Sequence, residues 1–404
     1  MPNLYTLTAC RGILRNPAVA ALSRARLEEG ARYEAIAAFL NTAEAVGLSG
    51  NIVRAVIAYA LIHEETLVGK AVERAGKIGD GLRQAFLRDM QALTPLFADS
   101  AERSLAEGLL DNYLPTTRTT SRPLRGLLRS LRTTADPEEL MRLFLSFYEK
   151  HGYGDLALCR AFQWDGLCLL GIPDFDGGSF EDIIGYERQK KQLRQNTEAF
   201  LQGKSANNAL LIGARGTGKS SSIKALASAY EDSGLKLVEI RKENLNTLPH
   251  LLKTLGTFPR RHFIVFLDDL SFESSDDGYK RLKSAMEGGL AEKPKNVLLY
   301  ATSNRRHLIK ETWADREGAG DEIYRNDSMN EMVSLSDRFG LVLTFLSPNQ
   351  EQYLTIVAHY LKKAGISLSE EELRLLGHRW ELEHSGRTGR TAEQLAAWYL
   401  SRPL

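Results

Sequence analysis

The chain has 404 residues, of which 43% are hydrophobic and 25% charged, which is typical of a globular protein with roughly two to four domains. The formal net charge of +1 excludes an overall electrostatic attraction to nucleic acid or membranes. The three cysteines form no C-x-x-C pair, which argues against a disulfide framework. No signal peptide and no apolar run of ~18–20 residues is present, so we expect a cytoplasmic protein.

Residues 1–170 are predicted to form an all-α N-terminal region that binds a partner or substrate, and its pattern leaves open whether it is one domain or two. In "SGNIVRAVIAYALIHEE", apolar residues recur with the spacing of one helix face. Asp136 followed by Pro137 and two glutamates is a typical helix start, and the helix is expected to stop at Gly152.

A basic segment lies within this region, because five arginines and no acidic residue occur between Asp111 and Asp136. If Pro123 opens a helix, four of the arginines share one face and the leucines take another. Such a face can bind nucleic-acid backbone, anionic lipid or an acidic partner, or it can simply be solvated above core leucines. The lack of interleaved aromatic residues favours the solvated face. The four arginines are Arg122, Arg125, Arg129 and Arg132.

Residues 171–180, "GIPDFDGGSF", are predicted to be a linker because Gly, Pro and Asp interrupt the periodic pattern. Residues 181–345 alternate short apolar runs with helical stretches, which predicts an α/β domain with a parallel sheet flanked by helices. The apolar runs are "NALLIG", "LKLVEI", "HFIVFLDD", "NVLLYATSN" and "LVLTF". Residues 346–404 return to helical patterns and are predicted to form a small helical domain.

The octapeptide "GARGTGKS" matches the phosphate-loop pattern G-x-x-x-x-G-K-[ST] between a predicted strand and a predicted helix. Glycines let the backbone wrap around phosphate, a lysine reaches the β- and γ-phosphates, and a hydroxyl binds Mg²⁺. We therefore expect ATP and Mg²⁺ as cofactors. The predicted nucleotide-binding residues are Gly213, Ala214, Arg215, Gly216, Thr217, Gly218, Lys219, Ser220 and Ser221.

Polar residues follow two further strands, at the end where α/β proteins bind ligands, and an arginine precedes a third strand. Asp268 ends "FIVFLDD" and is predicted to bind Mg²⁺ together with Ser220. Asn304 ends "NVLLYATSN" and can orient the attacking water, although a turn-forming Asn is equally common. Arg338 precedes "LVLTF" and can stabilise transition-state charge, often from a neighbouring subunit, or form a surface ion pair with Asp337.

The order of these motifs resembles that of the AAA+ ATPases, with Asp268, Asn304 and Arg338 at the positions of Walker B, sensor 1 and arginine finger. The resemblance implies that Ile184 and Gly185 in "FEDIIGYERQKKQL" lie near adenine and that residues 346–404 are a helical lid. In "SGRTGRTAEQLA" it implies a sensor 2 arginine. Arg387 and Arg390 are both candidates, and Arg390 is preferred because it is nearer the start of the final helix.

More narrowly, "NNALLIGARGTGKSS", "FLDDLSFE", "YKRLKSAMEGGL" and "YATSNRRHLI" resemble one group of bacterial ATP-binding proteins of unknown function, with a helical N-terminal region and a single AAA+ module. The resemblance covers residues 176–404 well. This group uses Asp-Asp where most relatives use Asp-Glu, so Asp269 replaces the usual glutamate base by a carboxylate one methylene shorter. Glu273 is a weaker candidate base.

The resulting prediction is an AAA+ ATPase that hydrolyses ATP with Mg²⁺ slowly or on stimulation by a partner. Lys219, Asp269, Asn304 and Arg338 are its predicted catalytic residues. A shared site implies a head-to-tail homo-oligomer, for which the family expectation is a hexamer, and hydrolysis would remodel or load an unknown protein partner. Two alternatives stay open: a nucleotide-dependent binding switch with little turnover, and a nucleic-acid loader or remodeler that uses the basic helix.

Overall fold

The computed structural model describes residues 2–25, 30–98, 105–106, 108–132, 134, 136–270, 272–273, 282, 286, 294–304, 309–310, 338–384 and 386–401. The chain forms two compact units. The first consists of Met1–Arg160, Leu170–Phe175 and Thr257–Arg260. The second consists of Ala161–Leu169, Asp176–Gly256 and Arg261–Leu404.

The first unit is helical. Its helices among the described residues are α1 (Pro17–Ala25), α2 (Gly30–Val46), α3 (Ile52–His63), α4 (Leu67–Ala75), α5 (Asp80–Phe97), α6 (Arg122–Ser130), α7 (Pro137–His151) and α8 (Asp155–Leu158). A continuous hydrophobic core runs through them, in which Phe39, Phe86 and Phe144 are fully buried. Removing aromatic and aliphatic surface of this size from water is the main term that stabilises such a unit.

Local signals set the ends of these helices. Asp136 accepts a hydrogen bond from the backbone N–H of Glu139 at the start of α7, and Gly152 follows its last residue with a φ of 83°. Asn51 caps α3 in the same way, through the backbone N–H of Arg54. The predicted helix start at Asp136 and the predicted stop at Gly152 are thus confirmed.

A buried carboxylate holds the N-terminal segment of this unit. Asp89 on α5 is only 1% exposed. It accepts hydrogen bonds from the backbone N–H groups of Thr8 and Cys10, at 3.1 and 2.7 Å, and from the Thr8 hydroxyl. Since a buried charge is costly without such partners, these bonds fix the segment on α5.

The strands are, in chain order, β1 (Ala161–Trp164), β2 (Leu169–Ile172), β3 (Ala209–Gly213), β4 (Leu235–Ile240), β5 (His262–Leu267), β6 (Phe272–Glu273), β7 (Val297–Ser303), β8 (Ile309–Lys310) and β9 (Leu341–Phe345). The main sheet of the second unit contains six parallel strands in the order β1-β4-β5-β7-β3-β9. β7 is buried along its whole length, as expected for a central strand covered on both faces.

The five strands predicted from apolar runs correspond to β3, β4, β5, β7 and β9 and are confirmed. The structure differs from the prediction near residue 170, because β1 lies within the range predicted to be helical. This strand, Ala-Phe-Gln-Trp, is only four residues long, and periodicity cannot separate strand from helix over so short a stretch.

Helices flank the sheet and complete the second unit. They are α9 (Glu187–Leu201), α10 (Lys219–Ala229), α11 (Leu248–Gly256), α12 (Gln350–Lys363), α13 (Glu370–Glu383) and α14 (Gly389–Leu400). α10 packs on β3, β4 and β7, whereas α12, α13 and α14 pack on one another around Tyr353, Trp380 and Leu395. The predicted fold class, a parallel sheet with a phosphate loop, flanking helices, C-terminal helices and a helical N-terminal region, is confirmed.

Candidate functional site

Polar side chains gather at one edge of the sheet, where β5, β7 and β3 are neighbours and run in the same direction. Asp268 and Asp269 follow β5, Asn304 follows β7, and the loop that ends in Lys219 follows β3. The strands themselves are apolar and buried, so the first polar residues after them emerge together at the sheet edge. This crevice at the carboxyl ends of parallel strands is the usual ligand site of α/β proteins.

The loop after β3 depends on two glycines with left-handed backbone. Gly216 has a φ of 75°, and Gly218, the N-cap of α10, has a φ of 86°. A Cβ on Gly216 would lie 2.9 Å from the Thr388 hydroxyl oxygen, and the backbone N–H of Gly389 donates to the Gly216 carbonyl at 2.9 Å. The loop therefore wraps tightly in front of α10 and lies directly against the start of α14.

Lys219, the first residue of α10, is 5% exposed, and its ammonium group is held within the loop. Its Nζ donates to the carbonyl oxygens of Gly213 and Ala214, at 2.9 and 2.7 Å, and to Oδ1 of Asn304 at 3.0 Å. Burial lowers the pKa of this amine, while the neighbouring carboxylates, Asp269 foremost, oppose that shift. Three acceptors thus fix the ammonium group of Lys219 within the loop.

Asp268 accepts hydrogen bonds from two hydroxyl groups. Its Oδ1 accepts from Ser220 Oγ and from Thr302 Oγ1, each at 2.6 Å. A carboxylate and a hydroxyl oxygen this close form the kind of hard donor set that Mg²⁺ prefers, so these residues fit the predicted metal. Thr302 received no role from the sequence, although a polar residue near the end of an apolar strand was the available signal.

Asp269 has an unusual backbone, with a φ of 52° that places it in the left-handed region. Its N–H donates to Thr302 Oγ1 at 2.9 Å, and its Oδ1 accepts from Nδ2 of Asn304 at 2.5 Å. Arg215 Nη2 lies 3.8 Å from the other carboxylate oxygen. The turn and these contacts aim the Asp269 side chain at Asn304.

A cavity of about 470 Å³ lies beside the loop. It is lined by Ile184 and Tyr186 from the segment before α9, by Ser221 from α10, and by Arg390 from α14. Tyr186 is held by a hydrogen bond from its hydroxyl to the Leu346 carbonyl at 2.6 Å. The lining combines five apolar or aromatic side chains with five charged ones, and a cavity of this size suits a small ligand that has both apolar and polar parts.

The two arginines proposed for sensor 2 have different surroundings. Arg390 lines the cavity. Arg387 instead forms an ion pair with Glu381 on α13, its Nε lying 2.7 Å from Oε1. The geometry places only Arg390 on the cavity wall, in line with the preference drawn from the sequence.

The structure thus brings Lys219, Ser220, Asp268, Asp269 and Asn304 together, and it places Ile184 and Arg390 around the neighbouring cavity. Gly185 has a φ of 81° between two cavity residues. Arg338 directly precedes the segment leading into β9, and its predicted role stays a prediction. Asp337, the sequence Arg305-Arg306-His307 and the side chain of Glu273 lie outside the described residues.

Two absences hold for the described part of the chain. It contains no cluster of three His, Cys, Asp or Glu side chains that could hold a metal ion by themselves. It also contains no helix with the length and apolar character that crossing a membrane requires.

Comparison with solved structures finds chains of 16–19% sequence identity. RuvB from Thermotoga maritima, described as a Holliday junction branch migration motor, is 18% identical with a TM-score of 0.38, and the match covers 54% of this chain and 63% of that chain. The FIGL-1 AAA domain in complex with ADP is 19% identical with a TM-score of 0.37, covering 54% and 71%. The chain thus spans less than two thirds of the RuvB structure. Curated proteins gave no match.

A family model matches residues 157–403, which is more than half of the chain and includes the phosphate loop, both aspartates and Asn304. The description of that family is "Protein of unknown function (DUF815)". The chain belongs to the DUF815 family.

Proposed function

We propose that this protein is an ATPase of AAA+ type, which binds ATP with Mg²⁺ at the edge formed by β3, β5 and β7 and hydrolyses it. The observation that carries the proposal is one hydrogen-bonded network: Asn304 joins the buried ammonium of Lys219 to the carboxylate of Asp269, and Ser220 binds Asp268 next to it. A cation, a metal-binding pair and a candidate base at adjacent strand ends are the parts that phosphoryl transfer requires.

Phosphate binding falls to the loop before α10. Its backbone N–H groups and the positive end of the α10 dipole favour negative charge, and Lys219 adds a full positive charge. The base of the nucleotide is assigned to the cavity beside Ile184 and Gly185, with Arg390 reaching it from α14. An arginine on the lid would make the position of the three C-terminal helices depend on the nucleotide.

Metal binding falls to Ser220 and Asp268, whose oxygen atoms lie 2.6 Å apart. Held by these two residues, Mg²⁺ would neutralise the negative charge that develops on the phosphate during transfer. The Thr302 hydroxyl donates to the same Asp268 oxygen as Ser220 and so orients the carboxylate.

Water activation falls to Asp269 and Asn304. The carboxylate of Asp269 is the base that accepts a proton from water, and the amide of Asn304 orients both groups. Because the aspartate is one methylene shorter than glutamate, its reach toward the γ-phosphate is reduced, and displacements of about 1 Å are costly in near-attack geometry. We therefore propose slow turnover that a partner accelerates.

Arg338 is proposed to complete the site of a neighbouring subunit by stabilising transition-state charge. This arrangement requires a head-to-tail assembly of several copies, and we propose a hexamer. Turnover per subunit would then rise with protein concentration until the assembly is complete. Hydrolysis would move the lid against the sheet and change how a partner is held.

The test is phosphate release with Mg²⁺ and ATP by the parent protein and by Lys219→Ala, Asp269→Asn and Arg338→Ala, beside ATP binding measured by calorimetry. We expect slow turnover that falls about 100-fold or more in each variant. Asp232→Asn, at an exposed position after α10, is the matched control for loss of one carboxylate and should leave turnover unchanged.

One further outcome separates the ATPase from a binding switch, and a mixing experiment tests the shared site. Hydrolysis would be refuted if the protein bound ATP without turnover in any oligomeric state and if Asp269→Asn behaved like the parent. The binding switch would then be the remaining function. Mixing Arg338→Ala with Lys219→Ala tests the shared site, because only a mixed assembly can contain one intact interface.

A further inference from the structure

The first unit presents an exposed set of arginines that the ATPase proposal does not use. We call Arg118, Arg125, Arg129 and Arg132 the arginine face. All four side chains are exposed, and they lie in the part of the sequence that has five arginines and no acidic residue. The structure begins α6 at Arg122 and ends it at Ser130, so Arg132 follows the helix in the next turn.

Buried leucines fix the orientation of this face. Leu124, Leu127 and Leu131 are 0%, 6% and 0% exposed and belong to the core of the first unit. Since they lock the rotation of α6, Arg125 and Arg129 must point away from the core. Arg125 and Arg129 are four residues apart, which is about 6 Å along the helix axis.

Hydrogen bonds also hold the segment before α6 in place. The backbone N–H of Thr119 donates to the carbonyl of Gly47 at 2.9 Å, and the N–H of Thr116 donates to Oε2 of Glu44 at 3.0 Å. A guanidinium nitrogen of Arg125 donates to the Thr119 carbonyl at 3.3 Å. Arg118 is therefore presented from an ordered scaffold.

The charge of the arginine face is not neutralised locally. Within the described residues, none of its four guanidinium groups forms an ion pair with a carboxylate. Exposed positive charges without a carboxylate partner attract a polyanion, even though the net charge of the chain is only +1.

The chemistry of the exposed positions selects among polyanions. From residue 116 to residue 132, every exposed side chain is Arg, Thr, Ser or Gly. A protein partner would need apolar anchors, a membrane would need an available apolar helix face, and single-stranded bases would need aromatic platforms. Leu124 and Leu127 of α6 are buried, Leu128 is partly buried against the same core, and no aromatic residue occurs in this stretch.

We propose that the arginine face binds the sugar-phosphate backbone of double-stranded nucleic acid, independently of sequence. Guanidinium groups bind phosphate through two parallel hydrogen bonds, and hydroxyl groups supply further phosphate contacts. The spacing of about 6 Å between Arg125 and Arg129 is of the order of two nucleotide steps along a strand, at about 3.4 Å each.

The test is fluorescence anisotropy of the full chain with a labelled 30-base-pair DNA duplex, at NaCl concentrations from 50 to 200 mM. Three phosphate contacts predict an affinity that falls about 40-fold over this range. The variant Arg125→Gln/Arg129→Gln/Arg132→Gln should bind at least about tenfold more weakly at 50 mM and should lose most of the salt dependence.

The matched control is Arg74→Gln/Arg83→Gln/Arg88→Gln, which removes three exposed arginines from α4 and α5 of the same unit. It should bind within about twofold of the parent. Arg129→Gln alone should reduce the salt slope by about one, which keeps the test valid if the triple variant does not fold. Lys219→Ala should bind duplex like the parent, which separates this inference from the ATPase proposal.

Absence of duplex binding at 50 mM NaCl would overturn the inference, as would an equal loss in the matched control. Binding of poly-glutamate or of phosphatidylserine vesicles in place of the duplex would overturn it in favour of another anion. A duplex RNA of the same length, run in parallel, shows whether the face accepts A-form backbone as well as DNA.

Discussion

The two units use the same side chain in opposite ways. In the helical unit, Asp89 is buried and accepts hydrogen bonds from the backbone N–H groups of Thr8 and Cys10. In the sheet unit, Asp268 is exposed and binds the hydroxyl groups of Ser220 and Thr302. Hydroxyl groups rotate and exchange partners readily, whereas buried backbone groups do not. A carboxylate therefore holds the chain together in one unit and stays available to a ligand in the other.

Replacing each of the two aspartates by alanine tests this difference most directly. Asp268→Ala should lower ATP turnover about 100-fold or more, because the metal loses its carboxylate, with little change in the free energy of unfolding. Asp89→Ala should lower that free energy by about 3 kcal/mol, because Cys10 N–H is left buried without an acceptor. Phosphate release measures the turnover of both variants, and urea unfolding measures their stability. Equal stability losses in both variants would contradict the distinction.

Thr302 provides the next test, because its hydroxyl orients Asp268 and accepts from Asp269 N–H. Thr302→Val keeps the shape of the side chain and should lower turnover about tenfold through misorientation of both carboxylates. Thr197→Val is the matched control, since this threonine is also buried in the sheet unit and donates to the Leu193 carbonyl. It should cost about 1 kcal/mol of stability with unchanged turnover per folded molecule.

The two candidate sensor 2 arginines also differ in their surroundings, because Arg390 lines the cavity whereas Arg387 is paired with Glu381. Arg390→Ala should weaken ATP binding about tenfold, as expected for loss of one charge-assisted contact. Arg387→Ala should change ATP affinity less than about threefold and act mainly on lid stability. Calorimetric titration distinguishes them, and a larger loss of affinity in Arg387→Ala would reverse the sensor 2 assignment.

The smallest effect concerns a pH-dependent pair in the helical unit. His63 Nε2 lies 3.4 Å from an Asp155 oxygen, and this contact raises the pKa of His63 and lowers the pKa of Asp155. The stabilisation from His63 is complete below pH ~6.5 and is lost as pH rises through its raised pKa. That from Asp155 is complete above pH ~4 and is lost as pH falls through its lowered pKa.

We therefore expect the pair to stabilise most between about pH 4 and 6.5, by less than about 1 kcal/mol because both groups are partly exposed. His63→Gln should flatten the dependence of the urea midpoint on pH near neutrality. His378→Gln, at an exposed histidine on α13, should leave that dependence unchanged. A parent protein whose stability rises steadily from pH 6 to 8 would contradict the sign.

Much of the fold and part of the site could be predicted from sequence. The strands β3, β4, β5, β7 and β9 followed from apolar runs, since strands covered on both faces are apolar throughout. The phosphate-loop pattern located Lys219 and Ser220, because its glycines permit the left-handed turns at Gly216 and Gly218 in front of the helix. The helix that begins at Pro137 could be predicted because its cap, its first turn and its final glycine are all set by neighbouring residues in the sequence.

The remainder depended on contacts distant in sequence. Thr302 lies 34 residues from Asp268, and no local pattern indicates their hydrogen bond. Likewise, the backbone N–H of Gly389 donates to the carbonyl of Gly216, although most of the α/β core separates the two residues in sequence. The contact between the start of α14 and the loop could therefore not be predicted from the sequence. β1 was missed because a four-residue stretch with three apolar residues is compatible with either helix or strand.

Asn304 has one further consequence. Its oxygen accepts from Lys219, and its nitrogen donates to Asp269, so a neutral amide stands between a cation and an anion that do not pair with each other. The amide acts as a spacer, because it satisfies one hydrogen-bonding partner of each charge while keeping the ammonium and the carboxylate from pairing directly. A carboxylate of the same shape could not replace it, because it has no donor for Asp269.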